Sequence, residues 1–396
     1  MSLLPAQGAN SSPDPGALAG LLELFGAVAD AAAGEPPDAG TQIASLAGAL
    51  AELDNFSSPE CDALYWAAIL RNLGALGNAA LRSGDRLPER EAMTARWDIP
   101  AQGARLIETI GVLPDRTADF VRWQAECWDG TGFPDQLRWL GIPAAAQTLH
   151  VAIAYATSRN EPEETLAAMV ASSGRGFSPE RARVFVRWFH TYGGEIAPRP
   201  APADSLRRDA MKERRTFELL ADRVDEHNGT PNRWRRVGAL AVAVAGALAQ
   251  PAENANGTVE PMAMLFGIGE IAEQGSDARR FDPLARLGIA PRAANAVAAA
   301  EVIAGSPLLH ALAPQLRAIG EWYDGTGRPD ALRHEAIPVT AQIVAACIAY
   351  DELAERARSR AGSAKQSPIE ALETAAGTQF DPVVIRALAK CVRVRA

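Results

Sequence analysis

Two stretches of this sequence carry side chains whose types and spacing can do chemistry: ECWDGTGFP, beginning at Glu126, and EWYDGTGRP, beginning at Glu321. In each, a glutamate precedes an Asp-Gly-Thr-Gly turn: Glu126 before Asp129, Gly130, Thr131 and Gly132, and Glu321 before Asp324, Gly325, Thr326 and Gly327. An aspartate in a turn accepts hydrogen bonds from the backbone that follows it, and glycine supplies positive φ without a Cβ clash. DGTG therefore reads either as a sharp connector or as a loop shaped for binding. Trp123, Trp128, Phe133 and Trp139 crowd the first stretch, Trp322 and Tyr323 the second. Such rings can stack a nucleobase, although aromatics at helical spacing also build cores. Ile142-Pro143 and Ile337-Pro338 follow, placing proline in the first turn of a new helix, where its missing N–H costs nothing. Each stretch is thus helix, glycine-turn loop, helix.

The rest of the chemical inventory is negative. There is no G-x-S-x-G elbow, P-loop, dinucleotide fingerprint or H-E-x-x-H. Of the five histidines (His150, His190, His227, His310 and His334), none precedes an aspartate and no two are adjacent. The cysteines, Cys61, Cys127, Cys347 and Cys391, form no CxxC pair, which argues for a reducing compartment and against a disulfide frame or zinc site. A net charge of −9 speaks against coating nucleic acid or anionic lipid, both of which need a cationic footprint. The stretch from Arg207 to Arg236, with its RWRR, carries nine Lys/Arg against six Asp/Glu; it reads either as a patch for a nucleotide or acidic partner or as a mixed-charge helix face. No apolar run reaches the ~18 residues of a membrane span. MSLLPAQGANSSPDPG has no basic segment leading into an apolar one. The expected location is cytoplasmic.

The elements that must hold these loops are helices. At 396 residues, 48% of them hydrophobic, the chain can bury two cores of about 200 residues each. Ile43, Leu46, Ala47 and Leu50 fall on one helix face, and Val237, Leu240, Ala241 and Val244 repeat the spacing. The sequence also matches itself at an offset of 195 residues, from Glu126 to Glu321. The same offset takes Leu70 and Gly74 onto Leu265 and Gly269, and Glu23, Asp30, Gly34 and Pro36 onto Glu218, Asp225, Gly229 and Pro231. This is an internal duplication. The expected organisation is a disordered 1–16, a first domain 17–193, an extended Pro/Ala-rich linker 194–205 and a second domain 206–396, all-α.

ECWDGTGFP and EWYDGTGRP resemble the HHE-x-x-DG-x-GYP signature of HD-GYP domains. AAILRNLGALG and AMLFGIGEIA stand where that family has a helix running into HDxGK. QTLHVAIAYATS and QIVAACIAYDEL take the place of its later metal-binding helix. SPIEALETAAGTQFDPVVIRAL is similar to its closing pattern, with EPEETLAAMVASSGRGFSPERARVFV a weaker counterpart. The resemblance implies an all-α tandem HD-type fold. For intact members it implies metal-dependent hydrolysis of cyclic di-GMP, with His and Asp side chains holding the cations that activate water.

Here the ligand positions are changed. The His-Asp pair falls on Arg71-Asn72 and Phe266-Gly267, and the double His on Gln124-Ala125 and Ile319-Gly320. The later Asp falls on Ile153 and Ile348, the early His near Ala39 and Arg233, the intervening His-Pro on Ile99-Pro100, and the lysine on Ala75 and Glu270. Phenyl, methyl and alkyl groups offer a cation no lone pair. The expectation is a catalytically degenerate protein with no catalytic residue, no metal and no cofactor. Glu126 and Glu321 then brace their loops. Arg71 either meets a phosphate as a planar fork or pairs with Glu126 in the space left by the cations. Two roles stay open: a regulatory module with a protein partner in signalling, or a receptor for a cyclic dinucleotide or other phosphate. The receptor site would use Arg71, Asn72, Glu126, Trp128 and the two DGTG turns. Residual phosphodiesterase activity is the third possibility.

Overall fold

The computed structural model describes residues 15–78, 96–207, 209–250, 258–272, 293–304, 309–359 and 366–395; most of the 1–16 segment expected to be disordered lies outside them. Among the described residues no strand is formed; the only β pairs are the isolated bridges Ser173–Phe177 and Ala376–Phe380. Contacts divide the chain into two units, Pro13–Leu219 and Leu220–Ala396.

In the first unit, α1 (Pro15–Ala33) is rich in Ala and Leu and ends at Gly34, whose φ is +82°. α2 (Ala39–Leu53) buries the face formed by Ile43, Leu46, Ala47 and Leu50, and packs on α3 (Ser58–Ile69) and α6 (Ala144–Ala156). At the start of α3 the Glu60 carboxylate accepts hydrogen bonds from both the N–H and the hydroxyl of Ser57, satisfying a helix-end donor. Between these lie α4 (Ile99–Ile110), closed by left-handed Gly111, and the short α5 (Thr117–Arg122). The unit is completed by α7 (Pro162–Ala171) and α8 (Pro179–Tyr192), the latter capped by Ser178 and stopped by Gly193.

The segment 194–205 is tied down along its length. Tyr155 donates to Gly194 O at 3.0 Å, Arg199 N–H to Ser45 Oγ at 3.2 Å, and the Trp66 indole to Ser205 Oγ at 3.1 Å. Arg199 also pairs with Glu52. The compositional linker is therefore a strap on the first unit, because its polar groups find partners there. The division between units falls farther on, inside α9 (Ala210–Asn228).

The second unit repeats the plan with α10 (Arg233–Ala247), α11 (Glu260–Ala272), α12 (Ala293–Ala304), α13 (Ala313–Arg317), α14 (Val339–Ser359), α15 (Pro368–Thr374) and α16 (Pro382–Arg395). Val237, Leu240, Ala241 and Val244 of α10 are buried against α11 and α14. The repeat departs at one helix: α14 has 21 residues, whereas its counterpart α6 has 13.

Gly74 and Gly269, related by the repeat offset, show what the duplication preserves. A Cβ on Gly74 would lie 2.2 Å from Ile99 O, and one on Gly269 would lie 2.0 Å from Asn295 O. Both neighbours are backbone and cannot step aside. Gly74→Ala and Gly269→Ala should each destabilise their own unit by about 1–3 kcal/mol, the usual cost of overpacking. Denaturant unfolding of the two variants checks this; wild-type stability in either would remove the close-approach explanation.

Candidate functional site

The DGTG loops are built alike, from the glutamate outward. Glu126 is buried, and its carboxylate accepts the backbone N–H groups of Asp135 at 2.7 Å and Leu137 at 3.0 Å; Glu321 does the same for Asp330 and Leu332. Burial pushes both carboxyls above the usual range, and the backbone donors pull them back. Each glutamate therefore holds the chain that leaves its loop. Asp129 Oδ1 accepts the N–H and hydroxyl of Thr131 at 3.0 and 2.7 Å, and Asp324 those of Thr326 at 2.9 and 2.7 Å. The Thr131 bonds hold Asp129 below its ordinary pKa.

The glycines are needed for two different reasons. Gly130 and Gly325 have φ of +81°, while a Cβ on Gly132 or Gly327 would lie 2.2 or 2.1 Å from the backbone N of Cys127 or Trp322. Trp128 and Asp129 donate their N–H groups to Gly176 and Arg175 carbonyls; Tyr323 and Asp324 donate to Gln379 and Thr378. The weakly similar GRGF and GTQF segments thus dock the loops in the same way. Matching ion pairs, Arg122–Asp135 and Arg317–Asp330, close the outer edge.

Deeper in the first unit, Arg71 is 1% exposed at the end of α3. Its Nη1 bonds Asp30 and the Ala68 carbonyl, and its Nη2 pairs with Glu35. Asn72 Nδ2 donates to Asp30 at 3.0 Å, Gly40 N–H to the other Asp30 oxygen at 3.0 Å, and Gln124 Nε2 to the Arg71 carbonyl at 2.9 Å. The expected pairing of Arg71 with Glu126 does not occur: the Glu126 oxygens are taken by the loop backbone, and Arg71 is neutralised by two nearer carboxylates.

In the second unit the guanidinium comes from another helix. Arg233, at the start of α10, lies over the Phe266 ring at 5.9 Å and pairs with Glu270 and Glu352, each at 2.7 Å. Arg236 forms two bonds to Asp351, at 2.7 and 2.9 Å, and reaches Glu355. Asp351 ends the stretch that α6 also has; Glu352 and Glu355 stand on the extra turns of α14. Arg235 is held by Asp222. The RWRR run is thus bound up in ion pairs and does not form an open basic patch.

The positions that the resemblance assigns to metal ligands therefore do converge: Arg71, Asn72 and Gln124 in one unit, Arg233 and Phe266 in the other. What they bring is a guanidinium, amides and a phenyl ring. A fixed cation with no lone pair to give does not suit a divalent ion. Among the described residues no group of three or more His, Cys, Asp or Glu could hold a metal, and no helix is long and apolar enough to cross a membrane.

Trp123 donates to Asp135, Phe133 packs with Trp97, and Tyr323 meets His334 edge-on at 4.6 Å. The aromatics around the loops therefore do not form one stacking platform. Trp139 and Leu140 stand out, at 60% and 89% exposed. The sequence reading missed Asp30, Glu35, Glu352 and Asp351 as parts of the site. The recurrence of Asp30 and Asp225 at the repeat offset was the available signal.

The HD domain family model matches residues 26–177 and 216–384, and the chain belongs to the HD domain family. A solved structure of a cyclic GMP-AMP specific phosphodiesterase of V. cholerae is similar with a TM-score of 0.69 and 17% identity, over 95% of this chain and 98% of that one. At that identity the likeness is one of fold. No curated protein matches the sequence.

Arg71→Ala should cost about 3–5 kcal/mol, because it strands the buried Asp30 carboxylate, and adding Asp30→Asn should recover part of that loss. A double-mutant cycle by denaturant unfolding measures it; additive effects would show that the pair is uncoupled. Asp225, like Asp30, is pushed up to about 7, chiefly by burial. The Trp234 N–H at 2.9 Å and the nearby Arg233 only partly oppose this, while Glu270 and Asp222 add to it. A carboxyl with a raised pKa in the folded chain contributes stability that is present below the ordinary value of 3.8 and is lost as pH rises to about 7. Asp225→Asn, which keeps an acceptor for Trp234, should flatten that decline for the second unit. An unaltered pH slope of its unfolding would contradict the assignment.

Proposed function

We propose that this protein is a catalytically silent tandem HD-domain protein, acting as a regulatory or protein-interaction module in bacterial signalling. One observation carries the reading. In each unit a buried arginine, paired with two or more carboxylates, occupies positions that intact family members give to metal ligands. A phosphodiesterase of this type needs cations to activate water and to neutralise phosphate, and a guanidinium can do only the second. Arg71 is also closed off from solvent, so a phosphate would have to displace Asp30 or Glu35 to reach it. That favours a protein partner over a cyclic dinucleotide receptor. Arg138 and Trp139, exposed together beside the first DGTG turn, are residue types enriched at interface hot spots.

The purified full chain tests this directly. Elemental analysis should find no stoichiometric Mn, Fe, Zn or Ni, and added Mn²⁺ or Fe²⁺ should elicit no hydrolysis of cyclic di-GMP or cyclic GMP-AMP. Two tightly held metals per unit, or turnover of either nucleotide, would overturn the proposal in favour of a working phosphodiesterase.

A further inference from the structure

The two DGTG loops are sealed against their supporting helix by different means. In the first unit His150, on α6, places Nδ1 2.9 Å from the backbone carbonyl of Glu126, and its ring meets Phe177 edge-on at 5.0 Å. Burial pushes the imidazole pKa down, which keeps it neutral, and Nδ1–H is the donor that a carbonyl requires. One side chain thus fills the space between loop and helix and satisfies the carbonyl.

The repeat offset puts Ala345 of α14 at this position. The imidazole is gone, and the second unit has a cavity of about 10 Å³ there, lined by Glu321, Tyr323, Gln342, Ala345 and Phe380 among others. Phe380 is the counterpart of Phe177: each belongs to the isolated bridge of its unit. Gln342 supplies an independent observation. Its Nε2 donates to the carbonyls of His334 at 3.0 Å and Ile337 at 2.9 Å, which fixes the orientation of the amide. Its Oε1 is buried and accepts nothing from the protein. A buried acceptor without a donor is costly, and a space of this size, mostly apolar but with that acceptor in its lining, holds one water molecule.

We propose that the second unit binds a single structural water in this cavity, donating to Gln342 Oε1 and to the Glu321 backbone carbonyl, in the role that the His150 N–H plays in the first unit. The ligand class is water because the space is of the order of one water molecule and a water can donate to both acceptors. The second loop is therefore closed through an exchangeable molecule, the first through a covalently attached ring.

Reciprocal variants of the full chain test the assignment, read by crystallography and by ¹⁷O relaxation dispersion, which counts long-lived internal waters. The wild-type crystal should show an ordered water within hydrogen-bonding distance of Gln342 Oε1 and Glu321 O. Ala345→His should expel it and lower the count by one; His150→Ala should admit a water at Glu126 O and raise the count by one. Should Ala345→His be too bulky to fold, Gln342→Leu removes one of the two acceptors and gives the same loss. A dry wild-type cavity, a Gln342 Oε1 that has found a protein donor, or a count unmoved by the variants that fold would overturn the proposal.

Discussion

A guanidinium buried among helices must be neutralised where it lies, since an unpaired charge in a low-dielectric interior costs several kcal/mol. Much of the interior of both units follows from that requirement. Arg71 draws Asp30 and Glu35 from α1 and the turn after it, and Asp30 in turn holds Asn72 and the first turn of α2. The ends of α1 and α3 and the start of α2 are thereby fixed on one charge. The Glu126 carboxylate is left to the backbone of its loop, and the loop keeps its shape without help from the charged centre.

The duplicated halves meet the same requirement with different residues. In the first, the arginine stands at the end of α3 and its partners come from α1 and beyond. In the second, it stands at the start of α10, and Glu352 and Glu355 come from turns that α6 does not have. A longer helix and a relocated arginine belong together, because without the extra turns of α14 Arg233 would lose Glu352 and Arg236 would lose Glu355. The loops changed far less: the glutamate brace, the Asp–Thr turn and the outer Arg–Asp pair recur at one offset.

What could be read in the sequence is what depends on local spacing. The all-α class, the faces of α2 and α10, the duplication and the DGTG turns all follow from periodicity or from glycines whose geometry admits no other residue. The partners of the buried arginines could not be read in that way. Arg71 and Asp30 are 41 residues apart, and Arg233 and Glu352 are 119 apart; such pairs are decided by how helices pack. Glu126 was the nearest acid in motif terms, but its oxygens were already committed to Asp135 and Leu137. The strap at 194–205 misled for a similar reason: its proline-rich composition describes a free chain, whereas Trp66, Ser45 and Tyr155 give its polar groups partners.

That strap also separates two kinds of boundary. The repeat suggests a seam near 205, yet Arg207 N–H still bonds the Val112 carbonyl at 2.8 Å, and Phe217 on α9 meets Phe25 edge-on at 6.0 Å within the first unit. A fragment cut at the seam of the duplication would carry away part of its neighbour's core. The ancestral joint has ceased to be a place where the molecule can be divided: α9 begins as the last element of one unit and ends as the first of the next.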